Sequence, residues 1–178
     1  MVKDNSGGPI QNASNFRATP FSYGAGHVTP SKAMDPGLVY DLGLKDYLNF
    51  LCALGYNKTQ IAFFSKEPYT CHKHINLTNL NYPSITVPKL SGSITVTRRL
   101  KNVGTPGTYS ARIQNPPGIS VSVEPNRLKF KRIGEEKRFK VTIKVNKSKA
   151  ASKEYAFGKL IWSDGKHYVR SPIVVKAA

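Results

Sequence analysis

The stretch that decides the fold is Phe139-Lys140-Val141-Thr142-Ile143-Lys144-Val145-Asn146, FKVTIKVN. Its apolar residues, Phe139, Val141, Ile143 and Val145, alternate strictly with Lys140, Thr142 and Lys144. A period of two puts one set of side chains on each face of a β-strand, so one face is buried and the other carries positive charge. ISVSVEP repeats the pattern with Ile119, Val121 and Val123. Working outward, SITV, ITVTRRLKNV, TYSARIQ, RLKF, FGKLIWS and HYVRSPIVV read as further strands. Turn signals separate them: Pro88, Gly104-Thr105-Pro106-Gly107, Pro116-Pro117-Gly118, Pro125-Asn126, Gly134 and Asp164-Gly165. Seven to eight short strands without an intervening helix predict an antiparallel β-sandwich of about 100 residues over 81–178. Trp162 falls in a strand and is expected in its core.

The residues before this module read differently. Residues 1–20 are polar and rich in Gly, Pro and Asn, as loops are. Pro36-Gly37 marks a turn. LKDYLNFLCALGY reads as a helix with Tyr47, Leu48, Leu51 and Leu54 on one face. Gly55 stands where a helix would stop, and Thr59 is the expected cap of a second short helix, QIAFFS. The division expected is a helix-containing segment, 1–55, a linker with a short helix, 56–80, and the sandwich, 81–178.

Charge divides the chain at the same place. The 178 residues carry 27 Lys and Arg against 10 Asp and Glu, a net +17. Residues 1–80 hold seven basic and five acidic side chains; residues 81–178 hold twenty and five, a net +15. The bland reading is the solvated face of a Lys-rich β-domain. The functional reading is an acidic partner, with Arg98, Arg99, Lys129, Lys131, Arg132, Lys137, Arg138, Lys140 and Lys144 as the candidate surface. No zinc-finger spacing, RNA-recognition signature or helical basic region points to nucleic acid. No apolar run approaches the length of a membrane span.

Chemistry is sparse. Ser163, Asp164 and His167 lie together in WSDGKH, but Asp-Gly there is better read as a hairpin turn, and no G-x-S-x-G elbow is present. His27 with Asp35 or Asp41 lacks a nucleophile in a recognisable setting, so a structural histidine is expected. Cys52, Cys71, His72 and His74 could in principle hold zinc, but CHKH lacks the paired spacing of zinc knuckles. A Cys52–Cys71 disulfide is the favoured reading, closing a loop worth roughly 3 kcal/mol in the chain-entropy model. No catalytic residue, metal site or cofactor is expected. Four Asn-x-Ser/Thr sites, at Asn12, Asn57, Asn76 and Asn146, together with an even cysteine count lean towards secretion. MVKDNSGGPIQN has no apolar stretch of the signal-peptide kind, so the expectation is of a chain parted from its leader.

A resemblance organises these signals. FSYGAGHVTPSKAMDPGLVYDL, from Phe21 to Leu42, resembles the end of the peptidase domain in plant subtilisin-like serine proteases. DYLNFLCALGYN, then Cys71, then LNYPSITVP are similar to that family's passage out of the domain. TVTRRLKNVGTPGTYSA, PNRLKFKRIGEEKRFKVT and FGKLIWSDGKHYVRSPIVV are similar to its C-terminal fibronectin-III-like domain. The resemblance implies that 1–55 is a partial remnant of an α/β subtilisin domain. The partner implied is the rest of the peptidase domain, and the location implied is extracellular, in the apoplast or cell wall. The family works through an Asp, a His and a Ser, the last in a G-T-S-M motif, and none of these motifs is present here. The function implied is a supporting part of a serine endopeptidase, inactive by itself. The alternative is a non-catalytic binding module for acidic wall polysaccharide or a protein. Without the parallel sheet to pack on, residues 1–50 are expected to pack poorly, with Phe21, Tyr23, Val39 and Tyr40 seeking an apolar surface.

Overall fold

A computed structural model describes residues 2–72, 76–146 and 154–178. Eight strands follow residue 84 and a ninth precedes them: β1 (Leu38–Val39), β2 (Ile85–Leu90), β3 (Ser93–Asn102), β4 (Gly107–Gln114), β5 (Ile119–Glu124), β6 (Arg127–Phe130), β7 (Glu136–Val145), β8 (Ala156–Ser163) and β9 (Tyr168–Ala177). They form a four-stranded sheet, β1-β3-β7-β5, and a five-stranded sheet, β2-β9-β8-β4-β6. The inward rows of both sheets share one core. Val141 and Ile143 of β7, Val96 and Leu100 of β3, and Leu160 and Trp162 of β8 all have no solvent exposure. Across the core the Phe139 and Trp162 rings meet edge to face, centroids 5.1 Å apart.

The sandwich departs from the expected pattern in one pairing, one strand and one turn: Pro88, expected as a turn, lies inside β2, where the register with β9 shifts between Val87 and Leu90. β2 runs parallel to β9, with Ile85 opposite Ile173, while every other described pair is antiparallel. Alternation looks the same in a parallel or an antiparallel neighbour, so the sequence pattern carries no direction. β1 comes from the N-terminal segment. It pairs with the end of β3, Leu38 opposite Asn102, and Leu38 joins the core at 2% exposure. Tyr40 packs against the same core, and its hydroxyl lies 2.6 Å from Ser171 Oγ. Burial pushes the Tyr40 phenol up to about 12. Tyr40 therefore finds its apolar surface on the sandwich itself.

Among the described residues four α-helices and a 3-10 turn (Leu77–Asn79) precede β2: α1 (Pro20–Tyr23), α2 (Pro30–Ala33), α3 (Leu44–Ala53) and α4 (Lys58–Ala62). α3 starts where the Asp46 carboxylate accepts the Gly43 N–H at 2.9 Å, and it ends before Gly55, which has φ 92°. Of its expected apolar face only Leu48 is buried; Leu51 is half-buried, and Tyr47 and Leu54 are exposed. The cap of α4 is Asn57, not Thr59. Asn57 Oδ1 accepts from Gln60 N at 3.0 Å, and Gln60 Oε1 accepts from Asn57 N at 2.9 Å. Thr59 falls inside the helix, because the reciprocal Asn-x-x-Gln pair satisfies two end groups where a threonine satisfies one.

Residues 79–81 protect an edge. Beyond its two residues paired with β1, the outer edge of β3 would leave backbone N–H groups open. Asn79 Oδ1 accepts the Thr97 N–H at 2.9 Å and Asn81 Oδ1 accepts the Arg99 N–H at 2.6 Å. Two asparagine side chains spaced by two residues thus stand in for a missing strand.

Candidate functional site

The basic residues do not form one surface. Arg98 is the clearest correction. It alternates in register with Val96 and Leu100, so it points inward, and only 5% of it is exposed. Its guanidinium donates to the carbonyls of Tyr82 (3.1 Å), Thr78 (2.7 Å), Thr97 (2.9 Å) and Ser84 (3.3 Å). Burial lowers it to about 10, still cationic at neutral pH. The two-residue period in ITVTRRL was the signal that separates Arg98 from Arg99. Arg99 faces out but is occupied by Glu136 at 3.3 Å and Asp46 at 3.7 Å. Lys137 pairs with Glu135 at 3.0 Å. Lys129 lies on β6, in the other sheet, and Lys131 and Arg132 stand on the turn that follows it.

The remaining three residues of the set share a face. Arg138, Lys140 and Lys144 are exposed and project outward from β7 with Thr142 between them. Hydroxyls flank them by register. Ser93 and Ser120 sit opposite Lys144, Thr95 and Ser122 opposite Thr142, and Thr97 opposite Lys140. Thr95 and Thr142 share a hydrogen bond of 2.9 Å. Glu124, opposite Lys140, and Glu136, two residues before Arg138 and paired with Arg99, are acidic members of this face. The outer face of the five-stranded sheet is different, because the N-terminal segment lies on it. Phe21 packs edge to face on Phe157 of β8 at 5.7 Å, and Arg170 of β9 donates to the Ala25 carbonyl at 2.7 Å.

Ser163, Asp164 and His167 are close but are not a catalytic triad. Ser163 Oγ accepts the Gly165 N–H at 3.0 Å. Asp164 Oδ1 accepts the N–H of Lys166 at 2.9 Å and of His167 at 2.6 Å. His167 Nδ1 lies 2.8 Å from Asp164 Oδ2, and Nε2 lies 3.1 Å from Asp35 Oδ2. A general base needs one ring nitrogen turned to a nucleophile. Here both nitrogens face carboxylates. Asp35 therefore serves His167, and Asp41 pairs with Lys101 at 2.8 Å.

Cys52 and Cys71 are joined by a disulfide with Cα atoms 5.6 Å apart, so neither sulfur is open to a metal. His74 lies outside the described residues. Among the described residues, no three His, Cys, Asp or Glu side chains gather as a metal-binding set. Asn12, Asn57 and Asn76 are exposed. Asn12 Oδ1 accepts from Ser14 N at 3.0 Å; Asn76 Oδ1 accepts from Thr78 N at 2.9 Å and from its hydroxyl at 2.7 Å. Asn146 is half-buried at the end of β7, its N–H bonded to the Gly118 carbonyl; the Lys147 and Ser148 of its site are outside the described residues.

With this sandwich in view, residues 79–175 match the family model of the fibronectin type-III domain. The chain belongs to that family. Over nearly its whole length it is also homologous to plant subtilisin-like proteases. It is 58% identical over 98% of its length to the Subtilisin-like protease SBT5.3 of Arabidopsis thaliana. It is 48% identical over 97% to the Subtilisin-like protease Glyma18g48580 of Glycine max. It is 41% identical over 98% to the CO(2)-response secreted protease of Arabidopsis thaliana. The chain spans 22% to 24% of the length of these three relatives. The fibronectin type-III module and the helical segment before it therefore recur together in proteases about four times as long.

Proposed function

We propose that this stretch of chain is the non-catalytic C-terminal part of an extracellular subtilisin-like serine endopeptidase, and that residues 2–64 brace its peptidase domain. One observation carries this reading. Large apolar side chains are exposed mainly in that segment: Phe16 (71%), Val28 (83%), Met34 (88%) and Phe63 (83%), with Phe21 and Phe64 beside them. The sandwich that follows buries its own apolar rows. Exposed apolar surface gathered on one segment suits a protein partner. Homology names the partner's class, and the absence of any Asp-His-Ser machinery among the described residues leaves the segment a scaffolding role. The disulfide and a relative named as secreted support the extracellular placement, in apoplast or wall, and glycan attachment at Asn12, Asn57, Asn76 and Asn146. The test is a chimera in which this chain replaces the matching stretch of the 58%-identical relative. The chimera retains peptidase activity, and Val28→Ser with Phe63→Ser lowers its thermal midpoint. A chimera indifferent to both substitutions overturns the reading. The chain by itself is expected to hydrolyse no peptide substrate.

A second reading is favoured by the outer face of β3, β7 and β5. We infer that Arg138, Lys140 and Lys144, spaced by the serine and threonine rows, bind an acidic polysaccharide. Cations meet carboxylates there and the hydroxyls bond sugar hydroxyls, whereas stacking of bare bases would call for exposed aromatics that the face lacks. On a polygalacturonate column the chain is retained at low salt and released as salt rises, since exposed charges are screened beyond about 8 Å at physiological ionic strength. Equal retention of an Arg138→Ser, Lys140→Ser, Lys144→Ser variant rules the face out.

A further inference from the structure

His167 ends the turn between β8 and β9, and only 7% of its side chain is exposed. Its Nδ1 faces Asp164 of the same turn at 2.8 Å. Its Nε2 faces Asp35, which lies between α2 and β1, at 3.1 Å. A neutral imidazole has one N–H and one lone pair. It can therefore satisfy one of these carboxylates but turns a lone pair on the other. The imidazolium donates through Nδ1 to Asp164 and brings its charge to within 3.1 Å of Asp35 through Nε2, an ion pair outside hydrogen-bond geometry. A carboxylate beside each nitrogen therefore favours the protonated ring by charge.

Other groups around the ring fit that picture. The Tyr109 hydroxyl of β4 lies 3.3 Å from Nδ1, and burial together with the Asp164 charge pushes that phenol up, so it stays neutral. Lys166 reaches the same Asp35 oxygen at 2.8 Å, but three-quarters of its side chain is in solvent, where an ion pair is weak. His27 and Arg170 line the groove alongside. That groove, about 730 Å³, has residues 25–38 as one wall and Ile161, Tyr168 and Val169 on the other. Asp35 is the charged anchor of the first wall, two residues before the Gly37 carbonyl that accepts the N–H groups of Val103 and Gly104.

We propose that His167, clasped between Asp164 and Asp35, is a proton-operated latch that fastens the segment 25–38 onto the sandwich in acid and loosens it towards alkaline pH. Hydrogen bonds to Asp164, then to Asp35, raise the histidine above its usual value against the pull of burial. Raised binding of a proton in the folded state means the contact is complete below about pH 6.5, the ordinary value for histidine. It is lost as pH rises through the higher folded value. Losing the Nε2–Asp35 contact frees the groove wall while leaving the Asp164 turn bonded through its backbone N–H groups.

The test is amide exchange of residues 25–38 in the full chain, compared at matched pH with His167→Gln so that intrinsic exchange cancels. The native chain is protected about tenfold more than the variant near pH 5.5, and the two converge as pH rises past the raised value of the folded histidine. A ratio that does not change with pH overturns the latch. Asp35→Asn provides the second arm, because it leaves the buried ring and its own turn intact. In that variant the His167 ring protons titrate at lower pH and the acid protection of 25–38 disappears. Unchanged titration, or unchanged protection, in Asp35→Asn overturns the latch even if His167→Gln does not fold.

Discussion

The Nε of Arg98 lies 3.1 Å from the Tyr82 carbonyl oxygen, and the same guanidinium reaches Thr78, Thr97 and Ser84. The buried cation is held by four backbone carbonyls, and three of them, Thr78, Tyr82 and Ser84, tie residues 78–84 to β3. Arg98→Ala leaves them without a donor. The expected loss is about 3 kcal/mol, since each buried group left unpaired costs roughly 1–3 kcal/mol. Arg98→Met keeps the stem packing and should lose less. Urea unfolding of the two variants checks the order.

Gly37 sits at φ 72°, a conformation suited to glycine, and its missing Cβ leaves room for the Tyr109 hydroxyl and the His167 ring. Gly37→Ala would strain the backbone and collide with both. We expect a loss of about 2 kcal/mol or more, read as a lower thermal midpoint. Amide protection at Val103 and Gly104, which bond the Gly37 carbonyl, should fall with it.

The Cys52–Cys71 bond ties α3 to the loop that precedes the sandwich. Replacing both cysteines by serine should cost about 3 kcal/mol in the chain-entropy account. The loss should be local. Protection should fall across 44–72 while the β7 amides, in a core of their own, keep theirs. Equal loss in both regions would show that helices and sandwich unfold as one unit.

Acid acts on Asp164. Burial works to raise its carboxyl, but hydrogen bonds from the His167 and Lys166 N–H groups and the His167 ring outweigh it, leaving it at about 2. A lowered folded value means this stabilisation is present above about pH 4, the ordinary aspartate value, and is lost as pH falls towards 2. Hydrogen bonds and nearby cations also lower Asp35, Asp41 and Glu135, so their contributions too weaken as the solution is acidified. Asp164→Asn should be less stable at neutral pH and flatter between pH 4 and 2, as acid titration followed by circular dichroism would show.

Much of the sandwich was legible because burial on one face of a strand writes itself as a period of two. FKVTIKVN and ISVSVEP became β7 and β5 with the expected residues inside. The same period placed Arg98 inward, although residue type alone made it a surface cation. The cysteine pair was legible because only two cysteines exist. Helix caps were less so, since Asn57 and Thr59 are both good caps and only the reciprocal bond with Gln60 separates them.

Local sequence encodes the two-faced strands, most of their turns and the charge division near residue 80. Each of these depends on neighbours within a few residues. Only the tertiary structure decided that β2 runs parallel to β9, that β1 is lent to the sandwich by the N-terminal segment, and that Asn79 and Asn81 close the β3 edge. It also split nine candidate cations into a buried staple (Arg98), two ion-paired members (Arg99, Lys137), an exposed row (Arg138, Lys140, Lys144) and three on or after β6 of the other sheet (Lys129, Lys131, Arg132), and brought Asp35 to His167. These depend on contacts between residues far apart in the chain, which local periodicity does not encode.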